Sequence, residues 1–321
     1  MRVFITGATG FIGSAIVRCL VTAGHEVTGL VRSANAAASL EALGARACRG
    51  TIEDLPVLRR AAAAADGVIH TAFFHALSQA SPGIRVRIMF GGCPTNIVER
   101  FTTAAVGAER RAIETFGGEL EARKGSLVVA FPTMAMAQGR LALETDAADR
   151  SAVGGLRAQS EKAALDLVRN GVSARVIRLP PSVHDETRLG LVTQLIEIAR
   201  KKRISAYPED GNNRWAAVHR LDASLLFRLA LESGEAGARY HAVAEESIPF
   251  RDIAEAIGRH LDIRAAPLST EDAARHFGWL APFAGADNPV SSQATRKQLG
   301  WEPRYPQLMT DLMASLRNVR R

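Results

Sequence analysis

Residues 2 to 13, Arg-Val-Phe-Ile-Thr-Gly-Ala-Thr-Gly-Phe-Ile-Gly, constrain the fold more than any other stretch of the chain. Val3, Phe4 and Ile5 form the short apolar run of a buried parallel strand. Gly7, Gly10 and Gly13 follow at intervals of three. Ile16, Val17, Leu20 and Val21 then place apolar side chains on one face of a helix predicted over residues 14–23. Strand, glycine-rich turn and helix in that order make a phosphate site. Gly7 permits the tight turn, Gly10 lets a pyrophosphate approach the backbone, and Gly13 lets the helix pack on the strand. The unpaired N–H groups at the helix N-terminus would face the phosphates. Thr9, Phe11 and Ile12 share the turn and count with the glycines as candidate dinucleotide contacts. The spacing is GxxGxxG and differs from the GxGxxG fingerprint. Its weight comes from its place between a first strand and a second one predicted over residues 26–31. The competing reading is a glycine-rich turn in some other α/β protein.

The alternation continues. Further strands are predicted over residues 45–49, 67–71, 126–131 and 174–179, and helices over 36–43, 56–65, 96–117 and 155–170. That rhythm gives an α/β fold with a Rossmann-type doubly wound parallel sheet. After residue 179 the rhythm loosens, with a helix predicted over 189–200. The expected organisation is a nucleotide-binding domain over 1–179 and a smaller, mainly substrate-binding region over 180–321, some of whose elements return to the first domain. A length of 321 residues suits that division. Hydrophobic content of 47% with 23% charged residues fits a globular protein in water. No window offers about 18 uncharged apolar residues, so no membrane span is expected. The strand begun at Arg2 leaves no room for a signal peptide, and Cys19, Cys48 and Cys93 lack metal-site spacing. A reduced, cytoplasmic setting without a metal site is the expectation. The net charge of +7 raises the question of nucleic acid. However, the basic residues are scattered through Ala- and Glu-rich helical stretches, and only Arg200-Lys201-Lys202-Arg203 forms a run, which reads as a solvated face. A basic balance also suits an anionic ligand such as a phosphorylated dinucleotide.

The second strand sharpens the cofactor. In this fold an acid at its end, roughly 20 residues past the glycines, holds the ribose 2′-hydroxyl of NAD. Here the strand ends Leu30-Val31-Arg32-Ser33-Ala34-Asn35, and no acid occurs between Val27 and Leu40. Arg32 offers a cation to a 2′-phosphate and Ser33 a hydroxyl, which points to NADP(H). The alternative is an ordinary exposed Arg32 with NAD held less specifically.

Gly-Ala-Thr-Gly-Phe-Ile-Gly after a strand resembles the extended short-chain dehydrogenase/reductases, the NAD(P)-dependent epimerase/dehydratase group, and later segments extend the resemblance. Gly50-Thr51-Ile52-Glu53-Asp54-Leu55 is similar to the group's Gly-Asp-Leu turn, with Thr51 where the adenine-contacting Asp stands. His70-Thr71-Ala72 resembles its His-x-Ala signature. This implies that Ala72 and Phe73 lie beside the cofactor, His70 is structural, and Phe74 and His75 approach the nicotinamide end. Pro180-Pro181-Ser182-Val183-His184 resembles the loop at that end, which implicates Pro180, Ser182 and Val183. Val218-His219 with Asp222 matches a Val-His-x-x-Asp segment, and Leu299-Gly300-Trp301-Glu302-Pro303 a typical ending. The resemblance also implies a homodimer. Residues 76–100, broken by Ser81-Pro82-Gly83 and Gly91-Gly92-Cys93-Pro94, read as an insertion serving as a lid, an oligomer contact or a disordered loop.

Catalysis is where the chain departs from the group. Relatives use a Ser or Thr, a Tyr that handles the substrate proton, and a Lys four residues later. The chain has three tyrosines, Tyr207, Tyr240 and Tyr305, and none falls in the helix where the motif belongs. Aligning Lys162 with the group's Lys puts Ala158 at the Tyr position. Aligning Ser160 with the Ser before that Lys puts Arg157 there and Glu161 at the Lys. Thr133 is the nearby hydroxyl after the fifth strand, able to bond a substrate carbonyl, and Lys162 is the candidate for the nicotinamide ribose; otherwise Thr133 completes a turn and Lys162 is a solvated helix residue. Phe73, Phe74, Phe131, Met134 and Met136 line an apolar pocket or belong to the core. Two functions remain open. One is an NADPH-dependent reductase of a small organic carbonyl compound, with its proton from water, His75, His184 or Arg157; arginine is a poor acid but a good polariser of a carbonyl. The other is a non-catalytic NADP(H)-binding redox sensor or regulatory protein.

Overall fold

The structure is a computed structural model, and it describes residues 1–74, 76–91 and 97–318. Its central sheet is built from β1 (Arg2–Thr6), β2 (Glu26–Val31), β3 (Arg46–Arg49), β4 (Gly67–His70), β5 (Ser126–Pro132) and β6 (Ser173–Leu179). Further along the chain come β7 (Ser182–His184), β8 (Ser205–Pro208), β9 (Arg214–His219), β10 (Arg239–His241), β11 (Glu245–Pro249) and β12 (Ala265–Leu268). The central sheet has seven strands in the order β10-β6-β5-β4-β1-β2-β3. β1 runs parallel to β2 on one side and to β4 on the other, with Val3 opposite Val27 and Gly67. The pairs β2–β3 and β4–β5 are also parallel. Strand order therefore reverses at β1, and a doubly wound sheet opens its ligand crevice beyond the carboxyl ends of the strands at that switch point. Thr6 and His70 are the last residues of the two strands flanking it.

The chain forms two compact units. The first comprises Met1–Phe131, Leu156–Ile177 and Phe227–Arg239, and the second Pro132–Gly155, Arg178–Leu226 and Tyr240–Arg321. The units interleave in sequence: Pro132–Gly155 falls in the second and Phe227–Arg239 in the first.

In the first unit, α1 (Phe11–Thr22) buries Ile16, Val17 and Leu20, as its apolar stripe requires. It starts three residues before the predicted position, so Gly13 lies inside its first turn. Next come α2 (Ala34–Glu41), α3 (Leu55–Ala63), α4 (Pro82–Phe90), α5 (Ile97–Glu121) and α6 (Ala158–Asp166). α4 occupies part of the stretch read as an insertion, and Ser81 before it donates through N and Oγ to Glu53 at 2.8 and 2.9 Å. The helix predicted over 155–170 is an α-helix only in its middle, with tighter 3₁₀ turns at Gly155–Arg157 and Leu167–Asn170.

The second unit holds a three-stranded sheet, β11-β9-β7, and a two-stranded one, β12-β8. Its core gathers Trp215, Phe250, Ile253, Ile257, Phe277 and Leu308. Trp215 meets Phe250 edge-on at 5.0 Å and donates its indole N–H to the Phe283 carbonyl at 3.1 Å, so its polar end is satisfied. Among the described residues, no helix is long and apolar enough to cross a membrane.

Candidate functional site

Gly7 adopts φ +72, a left-handed conformation that L side chains rarely take. A Cβ there would lie 2.6 Å from Thr71 Oγ1 and 3.0 Å from Ala72 N, so the turn after β1 touches the chain leaving β4. Gly10 N–H donates to the Gly7 carbonyl at 2.9 Å and closes the turn. A Cβ on Gly13 would sit 2.0 Å from Gly7 O, inside any permissible contact. All three glycines therefore stand where the sequence predicts, and the structure supplies the steric reason for the first and third. Gly10 begins α1 without a side-chain cap, and no acid occupies the first turn. A helix N-terminus with backbone donors and no competing carboxylate fits a diphosphate. Thr9 and Gly10 are exposed, and Phe11 and Ile12 half-buried.

The floor of the turn is hydrogen-bonded. Thr6 Oγ1 and His70 Nδ1 are 2.6 Å apart, and Thr71 Oγ1 donates to the Thr6 carbonyl at 2.8 Å. His70 is fully buried, and loss of hydration pushes its pKa down to about 4; Glu109 opposes that shift and Arg157 adds to it. His70 is thus a neutral pin between the ends of β1 and β4.

At the end of β2, Arg32 and Ser33 are exposed. Ser33 caps α2 by accepting from Ala36 N–H at 3.2 Å, which leaves its own O–H to donate. Arg32 makes no ion pair or hydrogen bond with any described residue. Thr51 Oγ1 accepts from Glu53 N–H at 3.3 Å, and Asp54 caps α3. The turn resembling Gly-Asp-Leu therefore uses Asp54 as a helix cap.

The helix expected to carry the Tyr and Lys holds a different group. Arg157 donates through Nε to Glu109 Oε2 at 3.1 Å, through Nη2 to Glu109 Oε1, and through Nη2 to the Ala130 carbonyl at 2.8 Å. Its guanidinium lies over the Phe73 ring, 4.5 Å from the centroid, with Phe131 at 5.7 Å. Glu109 is 1% exposed and Arg157 17%. Lys162 points elsewhere: its side chain is 72% exposed, and Nζ pairs with Asp166 one turn on at 2.5 Å. Glu161, at the Lys position of the other alignment, is buried near Arg239 at 3.7 Å. His75 lies outside the described residues. Sequence reasoning missed Glu109. Its signal was present: Ala105, Ala112, Ile113 and Phe116 mark the buried stripe of α5, and Glu109 falls on that stripe at helical spacing. A carboxylate there requires a partner.

The second unit places the remaining candidates. Thr133 and Asn288 are both fully buried and bonded reciprocally: Thr133 Oγ1 donates to Asn288 Oδ1 at 2.8 Å, and Asn288 Nδ2 to the Thr133 carbonyl at 3.0 Å. Pro180 is buried ahead of β7, in which Ser182 and Val183 pair with Ala217 and Val218 of β9. The Ser182 hydroxyl is buried without a hydrogen-bond partner among the described residues. His184 Nδ1 and Asp311 Oδ2 are hydrogen-bonded at 2.8 Å, and burial holds the His184 pKa down to about 4. Burial raises Asp311 and Glu245 above the usual carboxylate range. Two motifs meet here: Asp222 accepts from the backbone N–H groups of Arg304 and Tyr305, while Trp301 donates its indole N–H to the Asp222 carbonyl at 2.9 Å. Met134 and Met136 belong to apolar clusters of this unit. Phe74 and Phe131 are buried and Phe73 half-buried in the first.

The sheet order, the glycine turn at the switch point and the uncapped α1 define a Rossmann-type protein. Residues 3–90 match the NAD dependent epimerase/dehydratase family. An uncharacterised protein of Schizosaccharomyces pombe is 43% identical over 97% of the chain and 98% of its own length. A 4-hydroxy-2-methyl-3-oxo-4-farnesyl-3,4-dihydroquinoline-1-oxide ketoreductase of Stigmatella aurantiaca is 25% identical over 90% of the chain and 84% of its own. The dTDP-glucose 4,6-dehydratase DesIV of Streptomyces venezuelae, solved with NAD and TYD bound, shares the fold at TM-score 0.73 and 18% identity, covering 100% of this chain and 97% of that one. The chain belongs to the NAD dependent epimerase/dehydratase family.

Proposed function

We propose that the protein is an NADP(H)-dependent reductase of a small organic carbonyl compound. The observation that carries the cofactor choice is Arg32, an exposed guanidinium with no partner among the described residues, placed at the end of β2 where NAD-specific chains carry an acid. The steric demands at Gly7 and Gly13 support the dinucleotide itself. The N–H groups of Ile12 and Gly13 at the start of α1 would hold the diphosphate and Arg32 and Ser33 the 2′-phosphate, with Ala72 and Phe73 beside the cofactor. A bound NADPH would supply the hydride for the carbonyl carbon and be left as NADP⁺, and the proton for the oxygen would come from water. The ketoreductase likeness supports the reductive direction.

The test is loss of NADPH absorbance with a panel of aldehydes, ketones and quinones. Consumption that requires both protein and carbonyl compound supports the reading. Tight NADPH binding without consumption by any member favours the sensor, a reading that draws on the exposed, Asp166-paired Lys162.

A further inference from the structure

Arg157 is held more firmly than an exposed ion pair needs to be. Three of its five N–H groups are committed, two to the carboxylate of Glu109 and one to the Ala130 carbonyl. The two on Nη1 have no partner among the described residues, and the side chain as a whole is 17% exposed. The Phe73 ring at 4.5 Å fixes the plane of the guanidinium, and Glu109, buried beneath it, fixes its position. Its location is informative. Phe73 directly follows Ala72, whose N–H abuts the Gly7 turn, and Ala130 lies near the carboxyl end of β5. These are the strand ends from which a doubly wound sheet addresses its ligand.

We propose that Arg157 is a catalytic residue that binds the carbonyl oxygen of the substrate through the two N–H groups of Nη1; this rests on the reductase reading above. A guanidinium keeps its proton at any working pH, so it cannot act as the acid that tyrosine supplies in relatives. It can stabilise the negative charge that collects on oxygen during reduction, and a donor already fixed in place does so without reorganising. The proton then comes from water. Glu109 also explains why an arginine serves here and a lysine would not. Only a planar fork can engage a carboxylate with one edge and still present N–H groups at another.

The experiment uses 4-nitrophenol, a phenolate-forming stand-in for the reduced oxygen, bound to the protein with NADP⁺. Its ionisation is read from phenolate absorbance, alongside carbonyl-dependent NADPH consumption. The variants are Arg157→Met with Glu109→Leu, which removes both charges of the buried pair together, and Arg157→Lys, which keeps a cation and loses the fork. In the wild type the bound phenol should ionise at least about one pH unit lower than in solution, as beside any fixed cation. In the double variant that displacement should vanish, and turnover should fall about 100-fold, the effect of removing one oxyanion donor. NADPH affinity should stay the same. An ionisation unshifted in the wild type, or equally shifted in the double variant, overturns the assignment. Turnover retained in both variants overturns it as well. An Arg157-dependent shift in a protein that consumes no NADPH with any carbonyl leaves the oxyanion site standing and removes the reductase reading.

Discussion

His70 gives the fold a pH dependence that can be isolated. In the unfolded chain its imidazole titrates near 6.5; in the folded protein burial brings it down to about 4. Between those values the unfolded chain binds the proton more readily than the folded one, so stability rises with pH through that window. Stability from this group is fully present above about 6.5 and is lost progressively as pH falls towards 4. The gap converts to about 3 kcal/mol, an order-of-magnitude figure, at about 1.4 kcal/mol per pH unit. Other groups titrate in the same range, among them His184, moved the same way, and Asp311 and Glu245, moved upward and so opposing it. The informative quantity is therefore the difference between the wild type and His70→Gln. Urea unfolding of both proteins at half-unit steps from pH 7 to 4 supplies it. The wild type should lose about 3 kcal/mol more than the variant across that range. Parallel curves would mean that the imidazole stays hydrated or is charged in the native state, and the account of the Thr6–His70 pin would be wrong.

Three further outcomes follow from the site. Gly13→Ala places a methyl group 2.0 Å from Gly7 O, so α1 must shift away from the turn; about 1–3 kcal/mol of stability should go, and dinucleotide binding with it, both measurable by thermal shift. Lys162→Ala removes only an exposed pair with Asp166, so urea unfolding should register less than about 1 kcal/mol and NADPH affinity should not change. Thr133→Val leaves Asn288 Oδ1 buried without its donor and should cost about 1–3 kcal/mol in the same assay.

Much of the first unit was legible in the chain. β2 falls on its predicted residues because its apolar Val27, Leu30 and Val31 lie between two turns, and the glycine spacing marks a turn whose geometry excludes side chains at Gly7 and Gly13. What escaped has physical causes. β10 is three residues long and follows the helix Arg220–Ser233 late in the chain, so no periodicity announces it. The onset of α1 at Phe11 escaped because Phe11 and Ile12 lie between two glycines of the turn, and Gly13, a poor helix former, sits in the first helical turn. Glu109 escaped because a single acid on a helix with many charged residues gives no sign of burial unless the apolar stripe around it is traced. For Lys162 the sequence left two readings open, the nicotinamide ribose or a solvated helix residue, because its direction depends on how α6 is rotated, which a short apolar pattern fixes poorly; the side chain is exposed and paired with Asp166.

The proposed function turns on the dinucleotide and its 2′-phosphate. The direct measurement is a thermal-shift titration of the wild type and Arg32→Glu with NADPH and NADH, because a ligand that binds only the folded state raises the melting temperature by mass action. NADPH should stabilise the wild type at lower concentration than NADH does, and Arg32→Glu should abolish the preference. Equal stabilisation by both cofactors would remove Arg32 from the site, and stabilisation by neither would contradict the account as a whole.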